Sequence, residues 1–187
     1  PDWKSVSAWR ALGPPKLFYA VSAGAMDSMI NHYTANRKRR NADAYSPNGE
    51  INMRPDRANA VYAQRCREAF KGIPVIAGGV EASLRRAAHY DYWSDKVLPS
   101  SLVSSKADLV AFGSGENTLL TIAQRLAAGE TVRDLRDLRG VAYLLGKREE
   151  IPDHRFDDAA CDSKTLTLPS YEDVTASTDA FARATRR

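Results

Sequence analysis

Short apolar runs, each closed by turn residues, alternate along this chain with stretches whose apolar side chains recur every three to four positions. Leu17-Phe18-Tyr19-Ala20-Val21 reads as a buried strand, entered from Pro14-Pro15 and left through Ser22-Ala23-Gly24. A helix is expected from about Met26, although the polar run from Asn31 to Arg40 gives it little apolar face. Tyr45 to Met53, with Pro47, Asn48 and Gly49, reads as a loop. Pro55 suits the first position of a helix, and Ala58, Val61, Tyr62, Cys66, Ala69 and Phe70 keep helical spacing until Gly72 stops it.

The same grammar then repeats. Ile73 to Ala77 is a strand ending at Gly78-Gly79, and Asp108 to Phe112 is a strand ending at Gly113-Ser114-Gly115. The helix after the second turn carries Leu119, Leu120, Ile122, Ala123, Leu126 and Ala127 on its apolar side and stops at Gly129. Gly140 to Gly146 adds a further strand, residues 148–175 read as irregular, and a last helix is expected over 178–187. Strand, turn and helix in repetition predict an α/β fold with an open, mostly parallel, doubly wound sheet of Rossmann-like type, because parallel neighbours need crossover connections.

Composition narrows the class. At 187 residues, 43% apolar and 27% charged, the chain supports one ordinary core. No run approaches the roughly 18 apolar residues of a membrane helix, so the chain reads as soluble and cytoplasmic. It opens at Pro1 without a methionine and closes on Arg186-Arg187, which reads as a piece of a longer protein. Cys66 and Cys161 are its two cysteines, too few for a disulfide framework or a four-cysteine zinc site. Cys66 falls on the apolar face of its helix, the place of a packed and unreactive thiol. A net charge of +4 is mild for a dedicated nucleic-acid binder.

In open α/β sheets ligands bind beyond the carboxyl ends of the strands, which is where both glycine turns fall. Glu81 and Glu116 stand in or beside the first turn of the following helices and oppose an anion there. The second turn, Gly113-Ser114-Gly115-Glu116-Asn117-Thr118, has threonine where a dinucleotide fingerprint needs its third glycine. A nucleotide-type Rossmann site is thereby disfavoured. What remains open is a neutral ligand accepted by the two carboxylates, or self-capped turns without a ligand. Arg85-Arg86 could reach a carboxylate or phosphate at the strand ends, with pairing to Glu81 on the same helix as the preferred alternative.

Other polar candidates are weaker. None of His32, His89 and His154 has an aspartate two residues earlier, so the D-x-H-x-x-G pattern of a cobalamin axial ligand is absent. His89, among Tyr90, Asp91, Tyr92 and Trp93, is the best polar-site histidine, and a packed, hydrogen-bonded role is preferred for it. Arg37-Lys38-Arg39-Arg40, near Tyr33 and Tyr45, has the local make-up of an RNA contact, diluted by Asp43 and Glu50. Asp134, Arg136, Asp137 and Arg139 read as a salt-bridged connector.

Three segments carry a resemblance: "VSAGAMDSMINHYTANRKRR", "PDRANAVYAQRCREAFKGIPVIAGGVEASLRRAAHYDYWSDKV" and "SKADLVAFGSGENTLLTIAQRLAAGE". Together they resemble the N-terminal region of YgiQ-type radical SAM proteins, over roughly residues 1–146 and more loosely through Leu168 to Glu172. The resemblance implies a cobalamin-binding-like α/β domain over 1–147, missing its first strands, and an irregular linker over 148–187 toward a radical SAM barrel absent from this sequence. It implies a cofactor-facing role for Gly78, Gly79, Glu81, Ser83, Arg85, Gly113, Ser114, Gly115 and Glu116. A [4Fe-4S] cluster and S-adenosylmethionine are implied for the full-length protein, and cobalamin is left open. Two cysteines cannot supply the three thiolates of such a cluster, so the chain is expected to be noncatalytic alone, with the barrel as its partner. The alternative is a stand-alone module that contacts RNA through Arg37 to Arg40.

Overall fold

The computed structural model describes residues 2–150 and 166–186. Its helices are α1 (Val6–Arg10), α2 (Ser28–His32), α3 (Ala58–Ala69), α4 (Gly79–Leu84), α5 (Ser101–Ser105), α6 (Glu116–Ala127), α7 (Tyr171–Ala176) and α8 (Thr178–Thr185). Its strands are β1 (Tyr19–Ser22), β2 (Val75–Gly78), β3 (His89–Asp91), β4 (Lys96–Leu98), β5 (Leu109–Ala111) and β6 (Val141–Ala142). The main sheet has the order β1-β2-β5-β6. β1 pairs with β2 and β2 with β5 in parallel, Tyr19 opposite Val75 and Ile76 opposite Leu109, while β6 runs antiparallel to β5. The expected α/β class and mostly parallel sheet are therefore present, and the sheet is mixed.

Alternation along the strands divides the core between two faces. Val21, Val75, Ala77 and Val110 point to one side and pack with Ala63 and Cys66 of α3 and Leu102 of α5. Ile76, Leu109 and Ala111 point to the other and pack with Ile122 of α6 and Leu135. The β1 side chains on that second face, Ala20 and Ser22, are exposed.

Several expectations are corrected. The helix from Met26 is a single five-residue turn, α2, because the polar residues after it offer nothing to bury and instead bend back through a Tyr33–Arg39 bridge. Pro55 does not open α3. The helix begins three residues later, after Arg57 in the left-handed conformation. Leu120, expected on the apolar face of α6, is 58% exposed. The strand over 140–146 shrinks to Val141–Ala142. The β3–β4 hairpin and α5 fill a stretch with no expected element.

The C-terminal stretch read as irregular holds α7, closed by a capping box in which Ser170 and Asp173 satisfy each other's backbone N–H. α7 packs against β4, and α8 follows as expected. Cys161, His154 and the middle of the expected linker lie outside the described residues. Among the described residues no helix is long and apolar enough to cross a membrane.

Candidate functional site

The two glycine corners end adjacent parallel strands and share one crevice. A cleft of about 300 Å³ lies at the carboxyl ends of β1, β2 and β5. Gly78, Gly79, Gly113, Gly115 and Glu116 line it. Residues not singled out from sequence complete the floor, among them Ala20, Ser22 and Ala111. The only advance sign of these was position, since each lies within the last three residues of a strand in front of a turn.

Small side chains here follow from close backbone approach. Gly79 has φ of +77°, and a Cβ on it would meet Ser22 Oγ at 2.6 Å. A Cβ on Gly78 would sit 3.3 Å from the Ala111 carbonyl of the neighbouring strand. The chain can turn from β2 straight into α4 at this point because neither residue has a side chain. The result is a shallow, largely apolar floor with, among the described residues, one charged side chain, Glu116, at its rim.

The other sequence candidates are placed differently. Glu81 is 3% exposed and its carboxylate is fully occupied. Oε2 accepts from Ser28 N at 2.9 Å and Ser28 Oγ at 2.7 Å, and Oε1 accepts from Asn59 N at 2.9 Å. Ser28 Oγ in turn accepts from Ala58 N at 3.0 Å. One acid on α4 thus caps the starts of both α2 and α3, where unpaired N–H groups need acceptors. Asn59 extends the network by donating Nδ2 to the Gly78 carbonyl at 3.0 Å.

Arg85 pairs with Asp27 rather than with the carboxylate of Glu81, and it also donates to the Glu81 carbonyl at 3.3 Å. Burial works against the Arg85 charge, but the bond to Asp27 and the surrounding carboxylates outweigh it and hold the guanidinium more firmly protonated than usual. Ser83 is half-buried on α4 and its carbonyl accepts from Arg86. Ser114 is exposed at the tip of its turn, outside the cleft lining.

Among the described residues no histidine lines the cleft. His32 is buried with Nδ1 2.8 Å from Asp56 Oδ1. His89 lines a separate recess of about 160 Å³ beside Arg57 and Arg85, with Nδ1 3.2 Å from the Ala87 carbonyl. Burial holds the His89 pKa below its ordinary value, so the packed, neutral role fits it. The Cys66 thiol is buried and pushed up to about 12 by that burial, which suits an inert core residue.

In the basic run, Arg37 donates to the Tyr92 carbonyl at 2.6 Å and Arg39 to Asn52. Arg40 donates Nε to the carbonyls of Ile30 and Tyr33 at 3.2 and 3.1 Å. These arginines stitch the loop after α2 as well as charging it. In the connector, Asp137 pairs with Arg125 at 2.6 Å and Arg136 with Glu149 at 2.9 Å, both with partners outside the run, while Asp134 accepts from Thr131 N and Oγ1 at 2.7 Å.

Among the described residues no group of three or more His, Cys, Asp or Glu is placed to hold a metal ion. With Cys66 sealed in the core, these residues do not fit an iron–sulfur cluster.

Residues 1–187 match the family described as Radical SAM N-terminal. The chain belongs to this family. A UPF0313 protein of Rhodopseudomonas palustris is 51% identical over the whole chain, which covers 29% of that relative. A UPF0313 protein of Chromobacterium violaceum is 54% identical over 92% of the chain and 22% of its own length. The UPF0313 protein YgiQ of Escherichia coli is 46% identical over 95% of the chain and 26% of its own length. No solved structure matches. The Radical SAM N-terminal chain thus spans about a quarter of the length of the curated relatives it matches, and the resemblance read from its three segments holds.

Proposed function

We propose that this chain is the N-terminal module of a radical SAM iron–sulfur enzyme, noncatalytic by itself, whose strand-end cleft covers or serves an active site formed by further sequence of the same protein. The carrying observation is the cleft itself. Three parallel strands end at a floor of glycine, alanine and serine beside an exposed strip of β1, a surface that can approach a partner or ligand closely. The family supports the remainder. In the whole protein a [4Fe-4S] cluster would supply the electron that cleaves S-adenosylmethionine, and its ligands would lie outside this chain.

In this reading the residues of the module position and exclude. Gly78, Gly79, Gly113 and Gly115 keep the floor low, while Glu116 offers an acceptor at the rim. Glu81 and Arg85 act one step removed, holding α2, α3 and α4 so that the corners stay in register.

The test fills the cleft in the full-length protein. Ala20→Phe adds a ring on an exposed strand position, and Glu116→Ala removes the rim acceptor. Both should lower reductive turnover of S-adenosylmethionine about tenfold or more, by misplacing what the cleft orients, with the melting temperature unchanged. Full turnover in both variants would refute the assignment.

A further inference from the structure

A second recess, apart from the cleft, opens between α2, the loop that follows it and the β3–β4 hairpin. It encloses about 410 Å³, within the range of small-molecule sites. Tyr33, Tyr90, Tyr92 and Trp93 line it together with Arg40 and Arg85. Trp93 packs against Tyr33 with ring centroids 4.7 Å apart and meets Tyr92 edge-on at 5.8 Å. The Arg37 guanidinium covers the Tyr92 ring at 4.7 Å and fixes it. Tyr90 and Tyr92 are nevertheless 47% and 50% exposed, so aromatic surface is held in place and left open.

The polar groups of this recess are unevenly used. Asp27 accepts from Met29 N and Ile30 N with one oxygen and from Arg85 with the other. Asp91 accepts from Arg57 at 2.8 Å and from Ser94 N and Oγ at 3.0 and 2.5 Å. Both Asp27 oxygens are thus engaged within the protein, and Asp91 takes its three bonds on Oδ2. The arginines are less fully engaged: Arg40 uses only Nε, and Arg85 only Nη1. Both terminal amino groups of Arg40 and Nη2 of Arg85 donate to nothing among the described residues, so two guanidiniums keep N–H donors for an anion beside an aromatic platform.

We propose that this recess binds a nucleotide, its base stacked among Tyr90, Tyr92 and Trp93 and its phosphate held by Arg40 and Arg85. Inorganic phosphate would leave the rings wet, and an uncharged aromatic molecule would leave the guanidiniums without an acceptor; a base joined to a phosphate answers both, and the volume admits it. The same chemistry is offered by a free mononucleotide and by one nucleotide of an RNA strand. The site shares Arg85 with the packing behind the cleft, but its ligand does not depend on the role proposed for the cleft.

Calorimetry on the full-length protein decides it, with adenosine 5′-monophosphate as probe and adenosine and inorganic phosphate as controls. The monophosphate should bind at least tenfold more tightly than either control. Tyr90→Ala and Arg40→Gln should each weaken it about tenfold, the scale of one lost base stack. Arg40 also braces its loop, so Tyr90→Ala, whose hydroxyl bonds only Asp95, carries the test should Arg40→Gln misfold. A 5′-phosphorylated single-stranded RNA that binds more tightly than the monophosphate, with affinity falling steeply in salt, assigns the site to RNA; equal affinity assigns it to the free nucleotide. Monophosphate binding no tighter than the controls, or indifferent to Tyr90→Ala, overturns the proposal.

Discussion

Glu81 was expected at the rim of a ligand site, and its carboxylate instead takes three hydrogen bonds from the starts of two other helices. A glutamate one turn past a Gly-Gly corner reads identically whether it faces out or in, because its direction depends on where α2 and α3 lie. Asn59 offered a clue, being a polar residue beside Ala58 at the start of the apolar helical pattern, and it is buried with its amide donating to the Val21 and Gly78 carbonyls. Removing the acceptor strands three donors in the interior. Glu81→Ala should therefore lower unfolding free energy by about 3 kcal/mol or more, read as a fall in the urea midpoint at unchanged m-value. Loss of less than about 0.5 kcal/mol, the range of ordinary surface changes, would show that the carboxylate does not cap the two helices.

At the scale of elements, α3, β2, β5 and α6 were legible because each carries its own signal: an apolar run or a helical spacing ended by glycine. α7 had a readable signal as well, serine followed three residues on by aspartate, that sequence reading passed over. The β3–β4 hairpin and α5 had none, since neither contains enough apolar alternation to be distinguished from a loop. Of the corners, Gly79 has the sharpest structural demand. Gly79→Ala should destabilise the protein by about 1–3 kcal/mol, from the left-handed backbone and the clash with Ser22 Oγ at 2.6 Å. The companion change Gly113→Ala, with a similar φ of +75° but nothing within 4 Å of its Cβ, should cost less, and thermal melts of the pair test the difference.

Stability of the whole molecule is bounded on both sides by titratable groups, most of them buried or half-buried. Burial works against the charged forms of Asp43, Asp56 and Asp91, but hydrogen bonds from their neighbours prevail and hold all three below 3.8. Their stabilisation is present above that value and is lost as pH falls past it, because the unfolded chain takes up protons first. His89, held low by burial, adds a loss that begins as pH drops below 6.5. Cys66 acts in the opposite direction: with the folded thiol at about 12 against 9.0, its contribution is complete below pH 9.0 and fades as pH rises toward 12. Urea denaturation across pH should show a plateau from about 6.5 to 9.0 with declines on either side, and Cys66→Ala should flatten the alkaline decline. An alkaline limb unaltered by that change would contradict the burial of the thiol.

By itself the sequence determined the α/β class, the positions of both glycine turns at strand ends, the unreactive Cys66 and the family, because these rest on local spacing and on long runs of shared residues. Only the tertiary structure decided that β6 runs antiparallel, that Glu81 and Arg85 turn inward, and that Arg40 and Arg85 meet four aromatic rings around one recess. The reason is geometric. Strand and turn preferences act over a few neighbouring residues, whereas the partner of a buried charge is set by which helix starts converge on it, and residues 27, 59 and 81 meet only after the chain has folded.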